Sequence, residues 1–303
     1  MRLGEAIERA RFRLRHSLRP PVTITPPPDD VVVERDVEVA VRDGTILRVD
    51  VYRPDRAGQY PVLMCAHPYG KDSTPAPKPN GGYKVPFQMR LIPQSEPFTI
   101  SAWTGWEAPD PAYWVPRGYV VVNADLRGWG HSDGTGELLS AQEADDYHDL
   151  IEWAGEQEWS NGKVGLSGVS YLAISQWGAA ATRPPHLAAI SPWEGFTDAY
   201  CDFMRPGGIR EDGFLVVWAK VLGRQRRSPV TVRAEQRARP LFDDWWRRLD
   251  RDLESIEVPA LVCGSFSDHN LHSAGSLRGF LRIGSEHKWL YTCLLYTSPS
   301  PRD

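Results

Sequence analysis

Cysteine is scarce in this sequence: Cys65, Cys201, Cys263 and Cys293 are scattered singly through 303 residues. No Cys-x-x-Cys pair occurs and no histidine stands at metal-ligand spacing, so neither a zinc site nor a disulfide framework is signalled. Cys65 and Cys263 fall inside apolar runs, where a free thiol serves as a small hydrophobe. No apolar run approaches membrane-spanning length. The N-terminal residues, Met1 to Arg11, alternate charge with apolar side chains and lack the apolar h-region of a signal peptide. Positive charge is not in excess either: the net charge of -4 gives no electrostatic footprint for nucleic acid or an anionic membrane. No internal repeat occurs. These absences lead to the expectation of a reduced, cytoplasmic protein acting on small or moderately polar molecules.

What is present is ordinary globular composition, with 41% apolar and 24% charged residues, enough to bury a sizeable core. Residues 1–20 read as a basic amphipathic helix leading into a Pro-rich connector, and 1–36 are taken as an N-terminal arm. Val37 to Arg53, folded about Arg42-Asp43-Gly44, reads as an antiparallel hairpin. Short continuous apolar runs then recur at Pro61–Ala66, Tyr119–Ala124, Lys163–Leu166, Leu187–Ile190 and Ala260–Cys263. Such runs suit strands buried on both faces of a parallel sheet. Gln142 to Gln157 is the clearest helix, with Tyr147, Leu150, Ile151, Trp153 and Ala154 as its apolar stripe. A hairpin followed by strand–helix alternation gives an open α/β sheet with an antiparallel N-terminal edge. The core is assigned to 37–195 and 257–292. The alternation stops over 196–256, which reads as an inserted helical cap with a solvated basic link from Arg224 to Arg239. Twelve tryptophans are many, and Trp103, Trp106, Trp114, Trp129 and Trp193 fall in expected loops, where they are candidates for the walls of an acyl pocket.

Chemistry concentrates at Gly168-Val169-Ser170-Tyr171, between the strand run ending at Leu166 and a helical stretch from Leu172 to Ala181. A nucleophilic serine requires a sharp strand-to-helix turn that leaves its hydroxyl clear at the end of the sheet. The backbone N–H of the following residue, Tyr171, is then free to face a developing oxyanion. As a bare string Gly-x-Ser is weak, and a serine capping its helix in an ordinary turn competes with it. Gly128-Trp129-Gly130 lacks a further glycine at dinucleotide-binding spacing.

The ordered series is more specific. His67-Pro-Tyr69-Gly-Lys71, Asp125-Leu-Arg127-Gly-Trp-Gly130-His-Ser132-Asp-Gly134, Gln157-Glu-Trp159-Ser-Asn-Gly162 and Gly168-Val-Ser170-Tyr-Leu together resemble the cocaine esterase / X-Pro dipeptidyl-peptidase family (CocE/NonD-type hydrolases) from about Arg42 to Thr292. The resemblance implies an α/β-hydrolase fold with a helical cap, and acyl transfer from esters, amides or short peptides through a Ser-His-Asp triad. It implies no cofactor and no metal. Ser170 maps to the nucleophile, the Tyr69 hydroxyl and the Tyr171 N–H to the oxyanion hole, and Asp268, in a polar loop after the last core run but one, to the triad acid. Helix N-capping is the competing role for Asp268. Asp125, Arg127 and Asp133 are expected to be structural, with a buried Arg–carboxylate pair holding their loop. Ala173 stands where the family usually has glycine.

One expected element is missing. The resemblance implies a histidine directly after the last strand, His287 to Thr292, but the sequence there reads Cys293-Leu-Leu-Tyr-Thr-Ser-Pro-Ser-Pro-Arg-Asp303. That string is similar to the in-frame translation of a transposase-type sequencing adapter. The expectation is that the genuine sequence stops at Thr292, that 293–303 is an artefact, and that the triad base and a C-terminal jelly-roll domain are absent, leaving the chain inactive. His269 and His272 are set aside because adjacency to Asp268 does not bring them to Ser170. His287 begins the last strand and is set aside as an edge residue. His67 and His131, in loops at the catalytic end of the sheet, are the tolerable substitutes, neither favoured. The competing reading is a non-catalytic α/β-hydrolase-fold protein that binds a ligand or partner.

Overall fold

A computed structural model describes residues 20–91, 97–222, 232–266, 268 and 271–293, with Arg11 and Leu14 ahead of them. The expected N-terminal helix apart from Arg11 and Leu14, the first half of the Arg224–Arg239 link, His269 and the tail beyond Cys293 lie outside the described residues.

Ten strands are described: β1 (Val22–Thr25), β2 (Val31–Ala40), β3 (Ile46–Pro54), β4 (Tyr60–His67), β5 (Phe98–Ser101), β6 (Val120–Asp125), β7 (Ser160–Val169), β8 (Leu187–Trp193), β9 (Ala260–Ser265) and β10 (Lys288–Cys293). Eight of them form one sheet in the order β10-β9-β8-β7-β4-β6-β3-β2. From β10 through β6 every pairing is parallel, and β3 and β2 add antiparallel at one edge. This is the architecture expected of the α/β-hydrolase fold. The small parallel pair β1–β5 was not expected; four residues each, with no alternation of burial in β5, leave too little pattern to detect.

The strand sequences account for the layers. Every residue of β6, Val-Val-Val-Asn-Ala-Asp, is buried, as a central strand covered by helices on both faces requires. The β2–β3 hairpin turns at Gly44, whose φ of 83° suits a residue without Cβ, while Asp43 accepts from the Thr45 N–H at 3.0 Å.

Two helices carry the core's connections. Helix α1 (Ala141–Gly155) is capped by Ser140, whose hydroxyl accepts from the Glu143 N–H at 3.1 Å, and it buries Tyr147, Leu150, Ile151 and Ala154. Helix α2 (Tyr171–Ala181) is buried along ten of its eleven residues, behind the sheet's centre. Ala173 is fully buried there and fits without opening the packing.

Between β8 and β9 lie helices α3 (Phe214–Leu222), α4 (Val232–Ala238) and α5 (Asp244–Arg247). Glu211 caps α3, its carboxylate accepting from the Gly213, Phe214 and Leu215 N–H groups at 2.7 to 2.8 Å. Helix α5 is a single turn, its N-cap Asp243 accepting from the Trp245 and Trp246 N–H groups at 3.0 and 3.3 Å. Helix α6 (Ser273–Arg282) follows β9. A Cβ on its Gly275 would come within 2.4 Å of the Phe196 Cα, so only glycine lets α6 press against the loop that leaves β8.

Candidate active site

At the end of β7 the chain turns sharply into α2, and Ser170 occupies the turn with φ 57° and ψ -116°. A Cβ on Gly168 would meet the Leu172 Cβ at 2.4 Å, so the elbow closes only over glycine. The strain is held by flanking hydrogen bonds: the Val169 N–H donates to the Glu107 carbonyl (3.1 Å) and the Ser170 N–H to the Trp193 carbonyl (2.9 Å). Glu107 and Glu194 also have positive φ, 59° and 53°. Three non-glycine residues in the left-handed region therefore converge on one site, where such conformations tend to cluster.

The Ser170 hydroxyl meets an imidazole. His272 Nε2 lies 3.2 Å from Ser170 Oγ, and His272 Nδ1 lies 2.5 Å from Asp268 Oδ2. Exclusion of His272 on grounds of sequence adjacency therefore fails. Asp268 and His272 sit on the short link from β9 to α6, and the close packing of α6 at Gly275 swings that link over the ends of β7 and β8. The ring lies nearly parallel to Phe196, 6.4 Å between centroids, and is buried. Ser273 fixes the loop by donating from its hydroxyl to the Asp268 carbonyl at 2.6 Å.

His67 and His131 are committed elsewhere. Buried His67 places Nε2 2.8 Å from Asn123 Oδ1 and accepts from the Tyr69 N–H at Nδ1, and burial pushes its pKa down to about 4. Exposed His131 pairs with Asp36 at 2.7 Å, and that contact raises its pKa. His287 precedes β10, its N–H bonded to the Ser285 hydroxyl.

Two hydrogen-bond donors adjoin Ser170. The N–H of Tyr171 opens α2 and has no acceptor within the helix. The Tyr69 side chain is buried, its hydroxyl interacts with Ser170 and Glu107, and it accepts from Trp218 Nε1 at 3.2 Å. Trp218 belongs to α3, so the segment between β8 and β9 reaches the site; its ring also stacks on Tyr171. The Tyr171 hydroxyl points away, donating to Glu143 Oε2 at 2.6 Å. Burial raises the Glu143 pKa to about 7.

Of the five tryptophans proposed as pocket walls, Trp106 packs on Tyr69 (5.3 Å) and Trp193 directly precedes Glu194. Trp129 is core, while Trp103 and Trp114 pack the antiparallel edge, against Tyr52 and Tyr119. Trp218 and Glu107 were missed: neither lies in a quoted motif, and only tertiary contact reveals them. The structural role expected of the loop after β6 is met by Arg127, which grips Asp146 through two bonds of 2.7 and 2.6 Å, and by Asp125, which accepts from the Lys71 and His131 N–H groups.

Two groups of side chains among the described residues have metal-ligand spacing. In the first, Asp36, Asp72 and His131, the Lys71 ammonium already lies 2.7 Å from Asp36 and 3.2 Å from Asp72. In the second, Glu194, Asp268 and His272, both imidazole nitrogens are engaged by Asp268 and Ser170.

A mostly parallel sheet bearing a serine on a strained strand-to-helix elbow, faced by an imidazole and a carboxylate from the loop after β9, defines an α/β-hydrolase. The sequence pattern of the X-Pro dipeptidyl-peptidase (S15) family matches residues 43–293, and the chain belongs to that family. It is 32% identical over 212 residues to the cocaine esterase of Rhodococcus sp. (strain MB1 Bresler), covering 70% of this chain and 32% of the esterase. It is 24% identical over 315 residues to the Xaa-Pro dipeptidyl-peptidase of Lacticaseibacillus rhamnosus, covering 82% and 39%. A solved CocE/NonD family hydrolase from Staphylococcus aureus superposes with a TM-score of 0.78 at 40% identity, covering 86% of this chain and 46% of that one. The chain spans about a third of the length of the curated relatives it matches.

Proposed function

We propose that the chain is a serine hydrolase that cleaves an ester or amide bond, of acyl, aminoacyl or X-Pro type, through an acyl-enzyme on Ser170. The observation that carries this reading is the unbroken series Ser170 Oγ, His272 Nε2, His272 Nδ1, Asp268 Oδ2. Ser170 Oγ attacks the carbonyl carbon while its proton passes to His272 Nε2. The resulting oxyanion accepts from the Tyr69 hydroxyl and the Tyr171 N–H. The imidazolium, oriented by Asp268, returns the proton to the leaving alcohol or amine as its bond to the carbonyl carbon breaks. Water, deprotonated by the same nitrogen, then releases the acid and restores Ser170.

A second reading concerns the base. β10 pairs in parallel with β9, with Cys293 opposite Ser265, so β10 ends level with the end of the strand that leads to Asp268. A histidine just after β10, as the resemblance implies, would reach the same carboxylate, and the 303-residue chain would then be inactive for want of it.

Fluorophosphonate labelling followed by intact-mass measurement tests both readings. Ser170 Oγ bonds to phosphorus as fluoride leaves. If His272 is the base, the 303-residue chain labels once, Ser170→Ala abolishes labelling, and His272→Gln slows it by about 10³ or more. If the base follows β10, the 303-residue chain labels at the rate of its His272→Gln variant. The gene read onward from intact template then supplies a chain that labels fast with or without His272. Folded protein that never labels, in either length, overturns the hydrolase reading and favours the binding protein.

A further inference from the structure

Glu107 is a carboxyl group where an oxyanion site can least accommodate one. Its side chain lies against the Tyr69 hydroxyl and the Trp106 indole, and its Oε2 is buried without a hydrogen-bond partner. The backbone puts it there at positive φ, clamped by the Val169 N–H one residue ahead of the nucleophile. An ionised carboxylate at this place would repel the developing oxyanion, and a buried charged oxygen with no donor is costly. Evolution of a simple packing residue would not need that strain, and an apolar side chain would fill the space.

The hydrogen-bonding capacity of Tyr69 decides what Glu107 does. The hydroxyl has one proton to give and two lone pairs to receive. Trp218 Nε1 fills one lone pair at 3.2 Å. If Glu107 is ionised it can only accept, so it draws the single Tyr69 proton away from the reacting centre. If Glu107 is neutral, its O–H can fill the second lone pair, leaving the Tyr69 proton free to aim at the oxyanion. Two donors into the Tyr69 oxygen also make its own O–H more acidic and a stronger donor, since such chains reinforce one another.

On the basis of the hydrolase reading above, we propose that Glu107 acts as a neutral carboxylic acid behind Tyr69, a positioning residue that switches the oxyanion hole on when protonated and off when ionised. Burial raises the Glu107 pKa to about 8, with Glu194 from the end of β8 pushing in the same direction. The other groups facing this neighbourhood are Tyr69, raised well above its usual value, the Asp268–His272 pair beside Glu194, and on α1 the carboxyl of Glu143, which contacts Tyr171 rather than Tyr69. The sign follows directly: donation from Tyr69 is complete at pH values below the Glu107 pKa and is lost as pH rises through it.

The test is the rate of fluorophosphonate labelling of Ser170 between pH 6 and 9.5, with the phosphoryl oxygen as the oxyanion-hole ligand. The wild type is expected to slow by more than about tenfold by pH 9.5, on its way to the roughly 10² of one fully lost donor. Glu107→Gln has an amide N–H that donates to Tyr69 but cannot ionise. It is expected to label a few-fold more slowly at pH 6 and to keep that rate to pH 9.5. Tyr69→Phe provides the check should that variant fold poorly: slow at every pH, it loses the alkaline fall because no proton remains to divert. Glu143→Gln keeps the fall. An alkaline fall that survives in Glu107→Gln or Tyr69→Phe, or that vanishes in Glu143→Gln, overturns the proposal while leaving the hydrolase intact. A wild type that never labels fails at the earlier step, and the role of Glu107 falls with it.

Discussion

Asp268 and His272 stand four residues apart on the single link from β9 to α6, and the carboxylate holds the imidazole at 2.5 Å with its other nitrogen turned to Ser170. Acid and imidazole thus share one short stretch of chain. Asp268→Asn removes the charge that stabilises the imidazolium while keeping the size of the side chain. Ester turnover is expected to fall by about 10³ to 10⁴, mostly in kcat. A loss of less than tenfold in correctly folded protein would mean that this carboxylate is not the partner of the working base.

Tyr69→Phe tests the proposed role of the Tyr69 hydroxyl as an oxyanion donor. The ring keeps its packing against Trp106, and the oxygen that accepts from Trp218 disappears. The expected result is a kcat lowered by about 10² with KM little changed, because the donor acts on charge that develops only in the transition state. An equal rise in KM with unchanged kcat would assign Tyr69 to substrate binding.

Arg127 and Asp146 form a buried two-bond pair joining the loop after β6 to α1. Asp146→Ala removes two of the guanidinium's bonds while those to Asp43 and the Thr45 hydroxyl remain, and is expected to cost about 1 to 3 kcal/mol, whereas replacing both partners by apolar residues should cost less. Urea unfolding of the two variants measures the difference, and equal losses would show that the pair is not the source.

The buried Glu143 makes stability depend on pH. Its pKa in the folded protein, about 7, lies above the unfolded value near 4.5, so the folded state holds the proton more tightly. Its contribution favours folding most at pH below that unfolded value, and is lost as pH rises through about 7, by roughly 3 kcal/mol at most. Thermal melts of the wild type and Glu143→Gln from pH 5 to 8 should converge at the acid end and diverge at the alkaline end, with the wild type falling. Parallel curves would refute the assignment.

The fold was readable because its signals are local. β6 opens on three buried valines, α1 carries a regular apolar stripe, and Gly44 marks the hairpin. Ser170 was legible for the same reason, since strand, small residue and helix are consecutive in the chain. His272 was not legible. Its approach to Ser170 depends on Gly275 pressing α6 against Phe196, a contact between segments about 80 residues apart that no periodicity encodes. Trp218 and Glu107 escaped likewise, because what makes each of them matter is a meeting with Tyr69 across the fold.

The positive φ angles of Ser170, Glu107 and Glu194 set a limit on how far this protein can be made heat-resistant. Strain of this kind amounts to about 1 to 3 kcal/mol per residue, and glycine at Glu107 or Glu194 would relieve it. Selection for heat resistance alone will therefore drift toward glycine at those two positions, and each such gain removes a carboxyl group from beside Ser170. Libraries that screen for survival at high temperature should hold all three positions fixed and seek their improvements on the far face of the sheet.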